Sequence, residues 1–409
     1  MRPIVIHFIL VLTSIVFTLL CSEVVLRWID FSYPSFFVAD AITGHWHRPM
    51  AKGWYREEGN AYVQINSQGL RDQEHPKEKP ADVFRIAILG DSYAEAFQVD
   101  IAKTFWSVMQ DILSSCPKFR GRKVEAINFG VSGFSTAQEL LTLRHRVWDY
   151  SPDLVLLAFL TGNDVRDNSK NLAAVYPRPY FELQSDSLIL DKSFTESFSY
   201  GLKSHSIWRF VQSLSDSLRV PQLLNLSLSR VNQALTASRD REVAGRKENN
   251  DAPTDDQVYY STLSEEWQRA WTVTERLLQE IQQEVALNKS RLLVVTLTNG
   301  IQVHPDVKVR QRYMERFGIS NLLYPDERVG QIGKSNGIAV WMLAPVFQEV
   351  AEKGGIYFHG FPAQQLGDGH WNEHGHRLAG EYIANRYCRE FGNDSGVKPK
   401  AVHHRTRHP

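Results

Sequence analysis

The sequence predicts an α/β protein in which helices cover both faces of a central parallel β-sheet. Three observations lead to this fold class. Short apolar runs alternate with segments whose apolar residues recur at helical spacing. The run over 152–160, PDLVLLAFL, is almost entirely apolar, as expected of a strand that is covered on both faces. Small or polar residues follow the runs, where such a sheet binds its ligands.

The five predicted strands are apolar runs that lie in both halves of the chain. They are FRIAILG (84–90), KVEAINFG (123–130), PDLVLLAFL (152–160), RLLVVTLT (291–298) and IAVWML (338–343). The predicted helices are amphipathic, and they cover 104–116, 135–150, 261–287, 324–337 and 372–391. Because strands and helices alternate, the sheet is expected to be parallel with right-handed crossovers.

The strand–helix alternation stops after residue 164 and resumes near residue 288, so the chain divides into segments. The predicted segments are an N-terminal anchor (1–30), an N-terminal extension (31–80), the first part of the α/β domain (81–164), an insertion (165–287), the second part of the domain (288–392) and a basic, disordered tail (393–409). The insertion is expected to be mainly helical, with a polar loop or disordered stretch over 237–257.

The N-terminal segment is long and apolar enough to approach a membrane span. Residues 4–20 read IVIHFILVLTSIVFTLL, and apolar residues continue beyond Glu23. A cleaved signal peptide would need a small-x-small cleavage site, and none is convincing. A lipoprotein signal would need a small residue before Cys21, where the chain has Leu20. The pattern favours an uncleaved anchor, with the cleaved signal as the alternative.

Composition limits the classes of partner. Lysine plus arginine balance aspartate plus glutamate at 46 each, so nothing points to a nucleic-acid partner. The expected partners are the membrane and a small-molecule, glycan or lipid ester, whereas protein partners cannot be predicted. The motif HWNEHGH (370–376) suggests zinc, but Glu373 is misplaced for HExxH and no third ligand is evident. We therefore expect neither a metal nor a cofactor.

Groups suited to acyl transfer follow the predicted strands. A serine needs a base, and the base needs an acceptor on its other ring nitrogen, which predicts Ser92, His370 and Asp368 in these roles. The negative oxygen of a tetrahedral intermediate needs fixed donors. The backbone N–H groups of Ser92 and Gly133 and the side-chain amide of Asn163 are the candidates.

Each of these residues also has a purely structural interpretation. Ser92 could cap a helix, Gly133 could serve a turn and Asn163 could form an Asx-turn. Two further residues, Asp91 and Asp164, are expected to support the neighbouring loops. The functional interpretation is preferred because the groups follow successive strands of one sheet.

Four blocks in this order resemble the SGNH hydrolase superfamily, also called the GDSL esterase/lipase family. They are Gly90-Asp91-Ser92-Tyr93, the Gly133 region, Gly162-Asn163-Asp164, and Asp368 with His370. The resemblance covers roughly residues 81–164 and 288–391. It implies a flavodoxin-like, three-layer α/β/α fold and a serine esterase whose Ser, Gly, Asn and His fall on Ser92, Gly133, Asn163 and His370.

The last block departs from the common DxxH spacing, because Asp368 precedes His370 by two residues. This form resembles that of enzymes of periplasmic polysaccharide O-acetylation, and it leaves open a Ser92–His370 dyad. The expected activity is cleavage of an ester through an acyl-enzyme, such as an O-acetyl group on a cell-envelope glycan or a lipid. Polysaccharide O-acyl transfer by the same residues and a non-catalytic carbohydrate-binding or scaffolding role are the alternatives.

Two further expectations follow from the resemblance. SEVVLRWIDF (22–31) and INSQGLRD (65–72) resemble bacterial membrane-anchored members, which implies a catalytic domain outside the cytoplasm, in the periplasm. In this topology the first and last helices commonly pack on one face of the sheet. Cys116 and Cys388 would then lie close enough for a disulfide, which suits an oxidising compartment.

Overall fold

The structure is a computed structural model that describes residues 2–173, 177–185, 187–231, 253–362 and 365–390. The predicted tail (393–409) and most of the predicted polar stretch (237–252 of 237–257) lie outside the described residues. In chain order the strands are β1 Phe37–Asp40, β2 Gly44–His47, β3 Lys52–Tyr55, β4 Ala61–Gln64, β5 Val83–Gly90, β6 Lys123–Asn128, β7 Leu154–Phe159, β8 Tyr180–Gln184, β9 Ser187–Asp191, β10 Arg291–Thr296 and β11 Ala339–Met342.

Five parallel strands form the central sheet, in the order β11-β10-β7-β5-β6. Numbered by their sequence within this sheet, the strands follow the flavodoxin-like order 2-1-3-4-5. β5 and β7 are buried at every position, which explains why their sequences lack the alternation of a half-exposed strand. The predicted parallel sheet is confirmed, and all five strands lie where the apolar runs predict them.

Helices connect and cover these strands. They are α1 Arg2–Trp28, α2 Ser92–Glu95, α3 Phe105–Ser114, α4 Thr136–Thr142, α5 Asp164–Asp167, α6 Phe198–Ser204, α7 Ser206–Ser217, α8 over residues 219–231, α9 Glu265–Leu287, α10 Val307–Phe317, α11 Tyr324–Asn336, α12 Ala344–Gly354 and α13 Glu373–Glu390. α4, α9 and α11 contribute to the core on one face of the sheet, and α3, α12 and α13 to the core on the other. The result is the expected three-layer α/β/α architecture.

The first and last helices of the domain, α3 and α13, pack against each other and are joined covalently. Cys116, just beyond α3, forms a disulfide with Cys388 in α13, and their Cα atoms are 6.2 Å apart. The bond links residues 272 positions apart in the chain. It lies near the start of β6, at the edge of the sheet opposite the carboxyl ends of the strands.

The N-terminal extension forms two antiparallel hairpins, β1–β2 and β3–β4. The β3–β4 turn carries Glu58 and Gly59 and lies against the chain that follows α2. Gly59 has a φ of +72°, and a Cβ there would be 2.2 Å from the carbonyl oxygen of Gln98. Only glycine permits this close approach. The turn at Asn66 is braced by its side-chain oxygen, which accepts from the N–H groups of Gln68 and Leu70 at 2.9 Å.

The insertion contains more than the helices that the sequence predicts. After α5 it forms an antiparallel hairpin, β8–β9, and continues into α6, α7 and α8. Its last helix, α9, buries Trp267, Trp271 and Leu277 against the sheet and leads directly into β10. α9 is therefore the crossover helix that the parallel connection between β7 and β10 requires.

Candidate active site

The candidate active site lies at the carboxyl edge of the central sheet. Register brings the strand ends together, because Gly90 is opposite Ala158 and Phe159 is opposite Thr296. Ser92 is the first residue of α2, two residues beyond the end of β5. Asp91 caps this helix through its own carboxylate, which accepts from the N–H of Tyr93 at 2.9 Å. The Ser92 hydroxyl is therefore not used as the cap, and it faces the cavity.

Ser92 and His370 are in hydrogen-bond contact although 278 residues separate them. Oγ of Ser92 lies 2.8 Å from Nε2 of His370. His370 precedes α13, and its ring packs on Tyr93 with the ring centroids 5.1 Å apart. A serine hydroxyl beside a ring nitrogen is the arrangement that general-base activation of a nucleophile requires.

Glu58 occupies the position behind the histidine. Its Oε2 accepts a hydrogen bond from Nδ1 of His370, and its Oε1 accepts from the His370 backbone N–H at 2.7 Å. The carboxylate passes over Gly369, whose φ is +78° and where a Cβ would lie 2.2 Å from Oε1. A side chain at residue 369 would therefore displace Glu58. The bond to Nδ1 directs the other ring nitrogen, Nε2, toward Ser92.

Charge and burial act in opposite directions on this pair. Burial alone lowers the pKa of His370, but the hydrogen bond and negative charge of Glu58 outweigh it, so the pKa is raised above its usual value. Burial alone raises the pKa of Glu58, but the hydrogen bonds and positive charge of His370 lower it below its usual value. The pair therefore favours an ionised Glu58 and stabilises a protonated His370.

The expectation that Asp368 orients His370 is wrong. The Asp368 carboxylate accepts from the backbone N–H of Gly369 at 2.8 Å, and the residue is exposed on the wall of the cavity. The physical reason is the turn at Gly369, which carries the chain toward Glu58 and leaves Asp368 bonded to its own backbone. The two-residue spacing between Asp368 and His370 is thus not a triad spacing in this chain.

Asn163 shares the cavity with Ser92. It lies immediately before α5, and its Nδ2 donates to Oδ2 of Asp91 at 2.8 Å. Among the described residues nothing accepts the second hydrogen of the same amide group, so it is available for a bound oxygen. Asp91 therefore braces both the start of α2 and Asn163. Burial is the largest influence on Asp91 and raises its pKa, against the hydrogen bonds from Asn163 and Tyr93.

The second supporting residue, Asp164, is fully buried at the start of α5, directly after the loop that follows β7. Its Oδ2 accepts from the N–H of Leu160 at 2.8 Å, and its own N–H donates to the Leu160 carbonyl at 3.0 Å. Burial and then the neighbouring charge of Glu139 raise the pKa of Asp164 well above its usual value. The residue fixes the loop that carries Asn163.

Gly133 is the predicted oxyanion donor that does not line the cavity containing Ser92. It lies in the loop after β6 with a φ of +76°, and it lines a second cavity of about 580 Å³ rather than the one that contains Ser92. Within the described part of the chain, its backbone N–H donates no hydrogen bond. The N–H of Ser92 is likewise unused there.

The loop that carries Gly133 is held by a buried carboxylate that sequence reasoning missed. Oε1 of Glu95 accepts from the N–H of Ser132 at 2.9 Å, and Oε2 accepts from the Ser132 hydroxyl. His47 contacts the same carboxylate through Nε2 at 2.6 Å, and His45 contacts the Ser132 carbonyl at 2.8 Å. The β1–β2 hairpin thus holds this loop in place.

The cavity above Ser92 has a volume of about 640 Å³ and a wall of mixed polar and apolar side chains. Besides the residues already described, charged and hydrogen-bonding side chains from the insertion and the second half of the domain line it, namely Arg166, Asp255, Asp256, Asn299, His304 and Tyr313. Several are fixed by one another, since Arg166 pairs with Asp255 and Tyr313 donates to Asp256. The wall offers both donors and acceptors to a ligand.

Known structures with a similar backbone include several esterases. TesA is 12% identical over 74% of this chain and 97% of its own, with a TM-score of 0.35. The acetyl xylan esterase AlAXEase is 11% identical over 74% of this chain and 99% of its own, with a TM-score of 0.36. LAE5, an alpha/beta hydrolase enzyme from the metagenome of Lake Arreo, Spain, is 14% identical over 76% and 95%, with a TM-score of 0.34. The sequence matches no protein-family model, and no curated protein matches it. Because these identities and TM-scores are low, the similarity does not indicate the function of this chain.

The structure therefore brings together Ser92, Asn163 and His370, adds Glu58, and assigns Asp368 to the cavity wall. Neither Glu58 nor Glu95 lies in a sequence motif that indicates its role. Glu58 lies in the segment REEGN (56–60), whose composition is typical of an exposed hairpin turn. The same arrangement of nucleophile, base and carboxylate can activate a hydroxyl for attack on an acyl carbon.

Proposed function

We propose that this protein is a serine esterase of the SGNH type that cleaves an ester through an acyl-enzyme. The observation that carries the proposal is the continuous hydrogen-bonded series from Ser92 through His370 to Glu58. Asn163 in the same cavity supports it, because a polarised side-chain amide beside the nucleophile suits an oxyanion. The Ser-Gly-Asn-His order of the sequence is the second support.

The proposed reaction begins when Oγ of Ser92 attacks the ester carbonyl carbon and its proton passes to Nε2 of His370. The electron pair of the C=O bond moves to the oxygen, where the Ser92 N–H, the Asn163 amide and the Gly133 N–H are the proposed donors. Glu58 stabilises the imidazolium without taking its proton. Collapse of the intermediate breaks the bond to the alcohol oxygen, which leaves with the proton from Nε2.

Water completes the cycle by the same route in reverse. It attacks the acyl carbon while Nε2 of His370 accepts its proton. The bond to Oγ of Ser92 then breaks, Oγ takes the proton back from Nε2, and the carboxylic acid is released. If a sugar hydroxyl attacks in place of water, the same residues perform O-acyl transfer. The charged and amide side chains on the cavity wall, among them Arg166, Asp256 and Asn299, support a hydroxyl-rich carrier such as a cell-envelope glycan.

We also propose that α1 stays attached as a membrane anchor and that the catalytic domain lies outside the cytoplasm. The helix over Ile4–Trp28 is long enough to cross a bilayer, and its most apolar stretch of 18 residues has a mean hydropathy of 2.7. Two contacts favour an anchor over a cleaved signal, since Glu23 and Arg27 both bond to the insertion. The Cys116–Cys388 disulfide supports an oxidising compartment. Intact mass of the purified protein tests retention of α1.

The deciding experiment measures hydrolysis of p-nitrophenyl acetate and longer esters by the wild type and Ser92→Ala. Loss of the nucleophile is expected to lower kcat by at least about 10⁴-fold. Ser114→Ala, at an exposed serine in α3, is the matched control and should retain full activity. Equal activity in the wild type and Ser92→Ala would refute the mechanism. Acetyl transfer to an oligosaccharide at the expense of hydrolysis would instead establish the transferase.

A further inference from the structure

The helix α8 presents apolar side chains to the outside of the molecule. Leu224, Leu228 and Val231 recur at the spacing of one helix face and are 59%, 63% and 55% exposed. The apolar face of a helix in a globular protein normally turns toward the core. In α8 it has no core to cover among the described residues.

The two preceding helices repeat this pattern. Ile207 and Phe210 lie one turn apart on α7 and are both exposed, and Phe198 at the start of α6 is 86% exposed. We call these six side chains the apolar faces of the insertion, namely Phe198, Ile207, Phe210, Leu224, Leu228 and Val231. Exposed apolar side chains on three successive helices are typical of a site that meets another apolar phase.

The contacts of α7 and α8 with α1 indicate that this apolar phase is the lipid bilayer. Glu23 in α1 accepts hydrogen bonds from the backbone N–H groups of Arg219 and Val220, the first residues of α8, at 2.7 and 3.0 Å. Arg27 in α1 donates to the carbonyl oxygen of Ser217, the last residue of α7. The junction between α7 and α8 is therefore fixed to the last two turns of α1.

Those last turns mark the boundary of the proposed membrane span. The stretch from residue 4 to residue 22 has no Asp, Glu, Lys or Arg, and at ~1.5 Å per residue it is about 28 Å long. This length nearly equals the ~30 Å hydrocarbon core of a bilayer. Glu23 and Arg27 consequently lie at the lipid–water boundary, and the α7–α8 junction lies at the same level.

We propose that α7 and α8 lie in the membrane interface, with the apolar faces of the insertion in contact with lipid. The inference rests on the proposed placement of α1 in the bilayer. Lipid is the occupant because the exposed apolar faces begin at the level where the α1 span ends. They lie on helices that are hydrogen-bonded directly to α1. An amphipathic helix at this depth buries its apolar side among the acyl chains, while its backbone N–H and C=O groups stay hydrogen-bonded within the helix. Together with α1, this second contact fixes the orientation of the catalytic cavity to the membrane.

The test uses the full chain in liposomes with a fluorescent NBD label on one cysteine. Cys21 is the free cysteine, because the other two form the disulfide. Every introduced cysteine is placed in the Cys21→Ser background, so that one cysteine takes the label. Leu224→Cys is the test variant, and Leu228→Cys serves as its replicate. Leu287→Cys is the matched control, since Leu287 is an 82% exposed leucine at the end of α9. Lipids with a doxyl quencher near the headgroup report contact with the interface.

Labels at residues 224 and 228 are expected to be quenched at least about threefold more strongly than the label at residue 287. If the label at Cys21 of the wild type is quenched but the labels at residues 224 and 287 are quenched equally, the inference is overturned and the anchor stands. A label at Cys21 that is not quenched would refute the anchor itself, and the inference with it. A label at residue 224 that is shielded from aqueous iodide but unquenched by lipid would mean that protein covers the face, which also overturns the inference.

Discussion

Glu58 accepts a hydrogen bond from Nδ1 of His370 across 312 residues of sequence. The carboxylate comes from the tip of a hairpin that precedes the central sheet, whereas the histidine follows the last strand. The N-terminal extension is thus part of the candidate catalytic machinery. It contributes a second time through His47, which contacts Glu95 behind the loop that carries Gly133.

Glu58→Gln is the first prediction. It keeps the shape of the side chain but removes the charge that stabilises the His370 imidazolium, so kcat for p-nitrophenyl acetate should fall roughly 10²- to 10⁴-fold. KM should change little, because Glu58 lies behind the histidine. Steady-state kinetics on the purified full chain measure both constants.

The matched control for this prediction is Asp368→Asn. Asp368 lies on the cavity wall and bonds to the Gly369 N–H, so its loss should change kcat less than about tenfold. The reverse ranking, with Asp368→Asn the more damaging variant, would return the orienting role to Asp368.

The pH profile gives the second prediction. His370 must be neutral to accept the Ser92 proton, and its pKa is raised because Glu58 outweighs burial. As the pH falls through that raised pKa, the neutral fraction decreases, so kcat/KM should decline on the acid side from above about pH 6.5. In Glu58→Gln the largest of the charges that oppose burial is lost and only Asp91 and Glu95 still raise the pKa of His370, so the acid limb should move to lower pH. An acid limb at the same pH in both proteins would contradict the pairing.

Asn163→Ala is the third prediction. Removing one fixed donor to an oxyanion typically lowers kcat ~10²- to 10³-fold with little change in substrate binding. Asp91→Asn should have a smaller effect of the same kind, because Asp91 acts through Asn163 and the start of α2. If kcat of Asn163→Ala stays within about twofold of the wild type, Asn163 is not an oxyanion donor.

The strands and the residues at their carboxyl ends were predictable because both signals are local. Apolar runs such as those over 84–90 and 152–160 must be buried on both faces, and the sheet then brings Ser92, Asn163 and His370 to one edge. Glu58 was not predictable, since an exposed-looking acidic turn acquires its role only when the hairpin folds onto the catalytic edge. Asp368 misled for the same reason, because adjacency in sequence does not fix the direction of a side chain. The β8–β9 hairpin was missed because strands of five residues each carry little periodicity.

The disulfide gives the fourth prediction. Cys388→Ser should lower the free energy of unfolding by about 2–5 kcal/mol, because the bond closes a very long loop and restricts the unfolded chain. Activity near room temperature should persist, since Cys116 lies at the opposite edge of the sheet from Ser92. Cys21→Ser is the matched control and should leave the thermal midpoint unchanged. A midpoint for Cys388→Ser equal to that of the control, under non-reducing conditions, would mean that the bond adds no stability.

The last prediction concerns Glu95, which we propose positions the loop that carries Gly133. Its carboxylate accepts from both the N–H and the hydroxyl of Ser132 while it contacts His47. Glu95 and His47 are buried, and Ser132 is partly buried. Glu95→Ala leaves those donors without an acceptor, so the loop should shift and kcat should fall at least about tenfold at nearly constant KM. The melting temperature will fall as well, which a merely structural role would also produce. The kcat-to-KM split is therefore the informative readout, and Ser132→Ala should share it if the loop is the cause. A lowered melting temperature with unchanged kcat in both variants would limit Glu95 to holding the fold.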